Sequence, residues 1–117
     1  FKAVNDQHGH EAGDRVLCEI ARAIRGALRK YDVCGRWGGE EFLVILPEAS
    51  IELARQVGER IRDDVREVPF DFLDPGVTVS MGLATHTIGE PYATTIKRAD
   101  DALYIAKSAG RDRIEIG

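Results

Sequence analysis

The pair Gly38-Gly39, standing between two runs that each read as a strand, restricts this backbone more than any other feature of the chain. Before it, Val33, Gly35 and Trp37 alternate with other residues. After it comes the longest apolar run, Phe42-Leu43-Val44-Ile45-Leu46, which reads as a buried strand ended by Pro47. Strands joined so tightly need a primed turn, and glycine reaches the required positive φ at little steric cost. The segment is therefore predicted to be a β-hairpin. It also carries chemistry. Glycines at its tip let the backbone approach a phosphate, with successive N–H groups aimed at it. Glu40 and Glu41 follow at once, oxygen donors of the kind that Mg²⁺ takes together with bridging phosphates. Strand alternation sets the two carboxylates on opposite faces, which implies different roles. Taken alone, the string Gly-Gly-Glu-Glu fits a plain hairpin with acidic edge residues equally well.

The rest of the chain supplies partners for this hairpin. Residues 1–10 read as a short helical turn and loop. From Asp14 the residues Val16, Leu17, Ile20, Ala21, Ile24, Ala27 and Leu28 recur at three and four, an amphipathic helix ending near Arg29. Ser50 is placed to cap a second helix, with Glu52 in its first turn, Leu53, Val57 and Ile61 on its stripe, and Pro69 closing it. Phe70 to Leu73, the Pro75-Gly76 turn, and alternating Val77, Val79, Met81 and Leu83 predict a second hairpin. A third helix is expected from about Thr94 to Ser108, with Ile96, Ala99, Leu103 and Ala106 on one face and Gly110 as its C′ residue. Ile114 and Ile116 make a short last strand. The order predicts an α/β chain of the α+β sandwich type, a mainly antiparallel central sheet flanked by helices. Trp37 and Met81 read as packing residues and His86 as exposed. His8 and His10 have no apparent third ligand and read as loop residues.

Composition narrows the function classes. At 117 residues, 44% hydrophobic and 31% charged, the chain is expected to form one domain with its own core. No apolar run approaches the roughly 20 residues of a membrane helix. A net charge of −4 argues against broad contact with nucleic acid. Cys18 and Cys34 fit neither a zinc spacing nor a disulfide scaffold, so reduced thiols in a cytoplasmic domain are expected. The start at Phe1 reads as mid-motif, and an upstream segment is expected.

In register with its flanks, Gly38-Gly39-Glu40-Glu41-Phe42 resembles the signature of the GGDEF-domain diguanylate cyclases, with Glu at the third place. Phe1-Lys2-Ala3-Val4-Asn5-Asp6, Gly9-His10 and Gly13-Asp14 follow that family's upstream pattern at its spacing. Lys97-Arg98-Ala99-Asp100, Ala102-Leu103-Tyr104, Ala106-Lys107 and Gly110-Arg111 match its C-terminal helix. The resemblance covers essentially the whole chain. It implies a fold similar to the nucleotidyl cyclase and polymerase palm, and condensation of two GTP into cyclic di-GMP with release of pyrophosphate. Position by position, it implies that Glu40 is a metal ligand and that Glu41 helps to organise the site. Gly38 and Gly39 would lie against phosphates, and Asn5 and Asp14 would read the guanine edge. Lys2, Lys107 and Arg111 would neutralise the β- and γ-phosphates, with His10 beside the pocket. Two Mg²⁺ or Mn²⁺ ions per active site would stabilise the entering and leaving oxygens.

The same resemblance implies that each domain is half an active site, completed by a second copy. The family has an Asp-x-Asp-like strand just before the position of Phe1, whose first Asp is a metal ligand; residues 1–117 are thus expected to be the catalytic domain without its first strand. Arg29-Lys30-Tyr31-Asp32 matches the family's Arg-x-x-Asp inhibitory motif, and Arg60 a further arginine, together implying feedback by bound cyclic di-GMP. A cation near a helix end, as at Arg29, is also favoured by the helix dipole alone. An upstream sensory or receiver module is expected, and membrane anchoring of the parent protein stays open. The competing readings are a non-catalytic receptor for cyclic di-GMP or GTP, and a palm that makes another nucleotide.

Overall fold

The computed structural model describes residues 9–70 and 76–117. They fall into two units, one drawn from Phe1–Pro47 and Asp64–Val77, the other from Glu48–Asp63 and Thr78–Gly117.

The first unit opens with helix α1, His10–Ala27. It starts four residues before Asp14, where the apolar periodicity first becomes visible. Gly9 takes the N-cap position at φ 86, which glycine alone adopts freely, and among the described residues no side chain caps the end. Glu11 in the first turn and Arg25 in the last complement the helix dipole. Val16, Leu17, Ile20, Ile24 and Ala27 are buried, as are Val65 and Phe70 of the same unit. Each large apolar side chain among them contributes about 1.5–3 kcal/mol when fully buried. The Arg15 guanidinium lies 5.9 Å from the centre of the Phe70 ring.

Strands β1, Val33–Gly38, and β2, Glu41–Ile45, form the predicted antiparallel hairpin. Pairing runs evenly from Val33↔Ile45 to Arg36↔Phe42 and then jumps to Gly38↔Glu41. Trp37 is the extra residue of a β-bulge. The two-residue loop is Gly39-Glu40, one position later than the glycine pair suggested, and Gly39 at φ 46 supplies the positive φ of a primed turn.

In the second unit, Ser50 Oγ accepts the backbone N–H of Leu53 at 3.1 Å, the predicted cap of helix α2, Ile51–Arg66. Strand β3, Met81–Leu83, pairs in parallel with β4, Ile114–Ile116. The expected second hairpin is thus not the pairing β3 makes. Val77 and Val79 lie before the regular strand, and positions 71–75 of the other arm lie outside the described residues. Helix α3, Tyr92–Ser108, begins two residues before Thr94, with Pro91 as its N-cap.

Period-two alternation decides what β3 touches. A Cβ at Gly82 would collide with the Ala99 carbonyl and the Leu103 backbone, so α3 lies directly on this side of the strand. On the other side, a Cβ at Gly58 of α2 would meet Ile114 Cδ1 at 3.2 Å and Met81 Sδ at 3.3 Å. The parallel pair is a layer between two helices, each approaching at a glycine. Ala102 and Ala106 of α3 are buried. Gly110, at φ 118, ends α3 as predicted, and the Arg111 N–H bonds the Ala106 carbonyl at 2.9 Å in a Schellman arrangement.

Candidate functional site

The hairpin tip gathers four of the predicted site residues, Gly38, Gly39, Glu40 and Glu41, on one turn. The loop is short because Gly39 reverses the chain, and it is stiffened by Arg36, whose Nε donates to the Gly39 carbonyl at 2.7 Å. A Cβ built on Gly38 or Gly39 would meet no atom within 4 Å among the described residues, which leave the space over the glycines open. Glu40 sits in the loop and is exposed; Glu41 begins β2 and is half-buried. Strand alternation therefore does not reach Glu40, and the two carboxylates differ in exposure instead of lying on opposite strand faces. Among the described residues no group of three His, Cys, Asp or Glu side chains could hold a metal ion. The donor set at the tip, two adjacent carboxylates, fits a hard cation through oxygen.

Two helix ends carry the next groups. His10 and Asp14 are both exposed, one helical turn apart at the start of α1, so His10 belongs to a helix and not to a loop. Lys107, in the last turn of α3, and Arg111, just past it, bring two cations to one helix C-terminus. Arg111 holds φ 64 and Asp112 φ 48, left-handed values that cost a non-glycine residue about 1–3 kcal/mol each. Bonds on both sides sustain them: Arg113 Nε donates to the Arg111 carbonyl at 3.1 Å, and the Asp112 N–H to Ser80 Oγ at 3.1 Å. Lys2 and Asn5, along with His8, lie outside the described residues.

Arg29 and Asp32 form a closed motif in the first unit. Arg29 Nη2 and Nε donate to the Asp32 carboxylate at 2.8 and 3.1 Å, and its backbone N–H donates to the same group at 2.6 Å. A second bond from Nη2 reaches the Pro47 carbonyl at 2.8 Å. These bonds from Arg29 hold the Asp32 carboxyl below its usual range. The Asp32 side chain is fully covered while Arg29 stays 42% exposed. The guanidinium is thus held in place through Nε and Nη2 by Asp32 and Pro47. Arg60 is exposed on α2.

Two features went unread in the sequence. Trp37, expected to pack, is 58% exposed. His86, expected to be merely exposed, belongs to a network around Glu90. Arg98 forks onto the Glu90 carboxylate at 2.7 and 2.8 Å, while the Thr87 N–H at 3.0 Å and Thr95 Oγ1 at 2.7 Å donate to it as well. The Arg98 bonds, more than the others, push the Glu90 carboxyl far below the usual range. Since the Thr95 hydroxyl hydrogen is committed to Glu90, His86 Nδ1, 2.7 Å from that oxygen, must donate to it. The His86 ring stacks on Tyr92 with centroids 4.6 Å apart. A residue spacing of eight between Glu90 and Arg98 gives no periodic signal by which to find the pair.

A family model described as "Diguanylate cyclase, GGDEF domain" matches residues 1–113. Diguanylate cyclase DgcM of Escherichia coli K12 is 46% identical over 114 residues, covering 97% of this chain and 28% of its own length. The crystal structure of diguanylate cyclase SiaD with its activator SiaC, from Pseudomonas aeruginosa, superposes with a TM-score of 0.90 at 50% identity, over 99% of this chain and 45% of that one. The GGDEF domain of DgcB from Caulobacter crescentus, in complex with c-di-GMP, gives a TM-score of 0.92 at 32% identity, over 98% of this chain and 70% of that one. The chain thus spans less than a third of the curated relative's length and shares the palm-like α+β fold of these domains.

Proposed function

Because the chain belongs to the GGDEF-domain family of diguanylate cyclases, we propose that it binds GTP and contributes half of a site that condenses two GTP into cyclic di-GMP. The observation that carries this reading is the intact hairpin tip: a glycine loop at positive φ, open above its backbone, with Glu40 and Glu41 attached. In this reading Gly38 and Gly39 meet the phosphates and Glu40, supported by Glu41, holds the divalent ion. Mg²⁺ or Mn²⁺, when bound, neutralises developing charge on the entering and leaving oxygens.

The remaining residues act by position and charge. Lys107 and Arg111, with Lys2, offset the charge of the β- and γ-phosphates, and Asn5 and Asp14 read the guanine edge, with His10 close by. The 3′-hydroxyl of one GTP attacks the α-phosphorus of the other, and pyrophosphate leaves in line; the protein's part is orientation and electrostatics. A second copy of the domain presents the second GTP. The reading also places a strand with a further carboxylate ligand ahead of Phe1, and a regulatory module beyond it. In this reading Arg29, Asp32 and Arg60 each contribute to product binding; the fixed fork of Arg29 on Asp32 supports a role for that pair, as does the product complex of the DgcB domain.

The test is incubation of a version carrying its upstream segment with GTP and Mg²⁺, followed by chromatographic separation of products. Cyclic di-GMP and pyrophosphate are expected, with Glu40→Gln lowering the rate by at least about 10²-fold, the scale of a lost metal contact. Cyclic di-GMP binding without turnover would assign the chain to the receptor class. A different cyclic or linear product would refute the guanine reading.

A further inference from the structure

Trp37 is the chain's single tryptophan, and neither core packing nor the phosphate site accounts for it. More than half of it is exposed, although a buried indole would contribute more to stability than almost any other side chain. Its backbone setting is specific. Trp37 is the extra residue of the bulge between Arg36↔Phe42 and Gly38↔Glu41, so no residue of β2 stands directly opposite it. Bulges re-aim a side chain out of the regular alternation and concentrate next to active sites.

The neighbours reinforce this. Gly35, two residues back on β1, and Gly38 and Gly39, immediately ahead, carry no side chain, and a Cβ on any of the three would meet nothing within 4 Å among the described residues. A ring among glycines keeps its faces clear of strand neighbours. The Arg36 bond to the Gly39 carbonyl closes the backbone across the bulge, which ties the ring's position to the turn itself. A flat, exposed, pre-positioned aromatic beside a phosphate-facing loop is suited to the one part of a nucleotide that phosphate contacts leave loose, the base.

We infer that Trp37 is a stacking platform for the purine base of a nucleotide whose phosphates meet the Gly38–Glu41 turn. This rests on the reading of that turn as a nucleotide site. Stacking on an aromatic face holds any purine, whereas edge contacts choose guanine, so Trp37 adds affinity and orientation without selecting the base.

A single tryptophan makes the test direct, because all indole emission reports on position 37. The full chain is titrated with a hydrolysis-resistant GTP analogue and Mg²⁺, and in parallel with inorganic triphosphate and Mg²⁺. Saturable quenching by the analogue and none by triphosphate is expected. By calorimetry, Trp37→Ala should weaken analogue binding about ten-fold, within the range for one aromatic–base stack, and Trp37→Phe by less than about three-fold. Thermal melts of both variants check folding, and Trp37→Phe keeps the test valid if the alanine variant is unstable. Equal affinity in wild type and both variants, with silent emission, would overturn the stacking while leaving the cyclase reading intact. Emission that changes with protein concentration in the absence of nucleotide would overturn it in favour of contact between copies. Failure of the analogue and GTP to bind at all would remove both readings.

Discussion

The same chemical change, glycine to alanine, is expected to act in opposite directions at Gly82 and Gly26. At Gly82 the added methyl would overlap the carbonyl of Ala99 and the amide of Leu103. Both obstacles are backbone, so no rotamer change relieves them; either α3 lifts from β3 or the strand shifts against β4. Overpacking of this kind costs typically 1–3 kcal/mol, and a backbone-to-backbone clash belongs at the top of that range, about 3 kcal/mol. For a domain of this size that corresponds to a fall in Tm of roughly 12 °C. Gly26 lies exposed in the last turns of α1, where a Cβ would meet nothing within 4 Å. Alanine there removes backbone freedom from the unfolded chain and gains about 0.5–1 kcal/mol. Urea unfolding followed by circular dichroism measures both, with unchanged m-values showing that stability has changed and the surface exposed on unfolding has not. Should Gly82→Ala unfold at the wild-type urea midpoint, the close seating of α3 on β3 described above would be refuted.

Other outcomes follow from particular contacts. Ser50→Ala removes the bond to the Leu53 N–H and should cost about 1 kcal/mol in the same assay. Glu90→Gln tests linkage: a carboxyl held below its ordinary value of 4.5 stabilises the fold fully above that pH and progressively less as pH falls beneath it. The variant should therefore be weaker than wild type at neutral pH, and the gap between them should narrow on acidification below 4.5; a constant gap would contradict the network. Gly39→Val forces a β-branched residue to φ 46 and should depress GTP turnover by an order of magnitude or more while the far-ultraviolet spectrum stays native. Arg29→Ala should raise the cyclic di-GMP concentration needed for half-inhibition, measured by turnover against added product, and unchanged inhibition would remove Arg29 from the product site.

Signals that act over three or four residues were legible in the chain. Ser50 and Gly110 mark their helix ends because capping is local chemistry, and the glycine pair announced the hairpin. The start of α1 was hidden because its first residues, His10 to Ala12, lack a large apolar side chain and its N-cap, Gly9, has no side chain to signal. The bulge was hidden because Val33, Gly35 and Trp37 keep an unbroken alternation up to the point where the register jumps. Partners distant in sequence left no periodic trace, so the parallel pairing of Met81 with Ile114 emerged only in three dimensions. The candidate site divides along the same line. Its glycines and carboxylates were readable from one short string, whereas the fork of Arg98 on Glu90 and the exposure of Trp37 depend on how the backbone is held.

The bulge also makes this hairpin unusually tolerant of a change in length. Elsewhere in a strand, deletion of one codon inverts every side chain beyond it. In β1, loss of position 37 would instead merge Arg36↔Phe42 and Gly38↔Glu41 into one uninterrupted ladder. Such a deletant should fold with its loop and carboxylates in register, lacking only the indole. Lineages descending from a chain like this one can thus gain or discard an aromatic beside the turn in a single genetic event, and the architecture of the turn need not change with it.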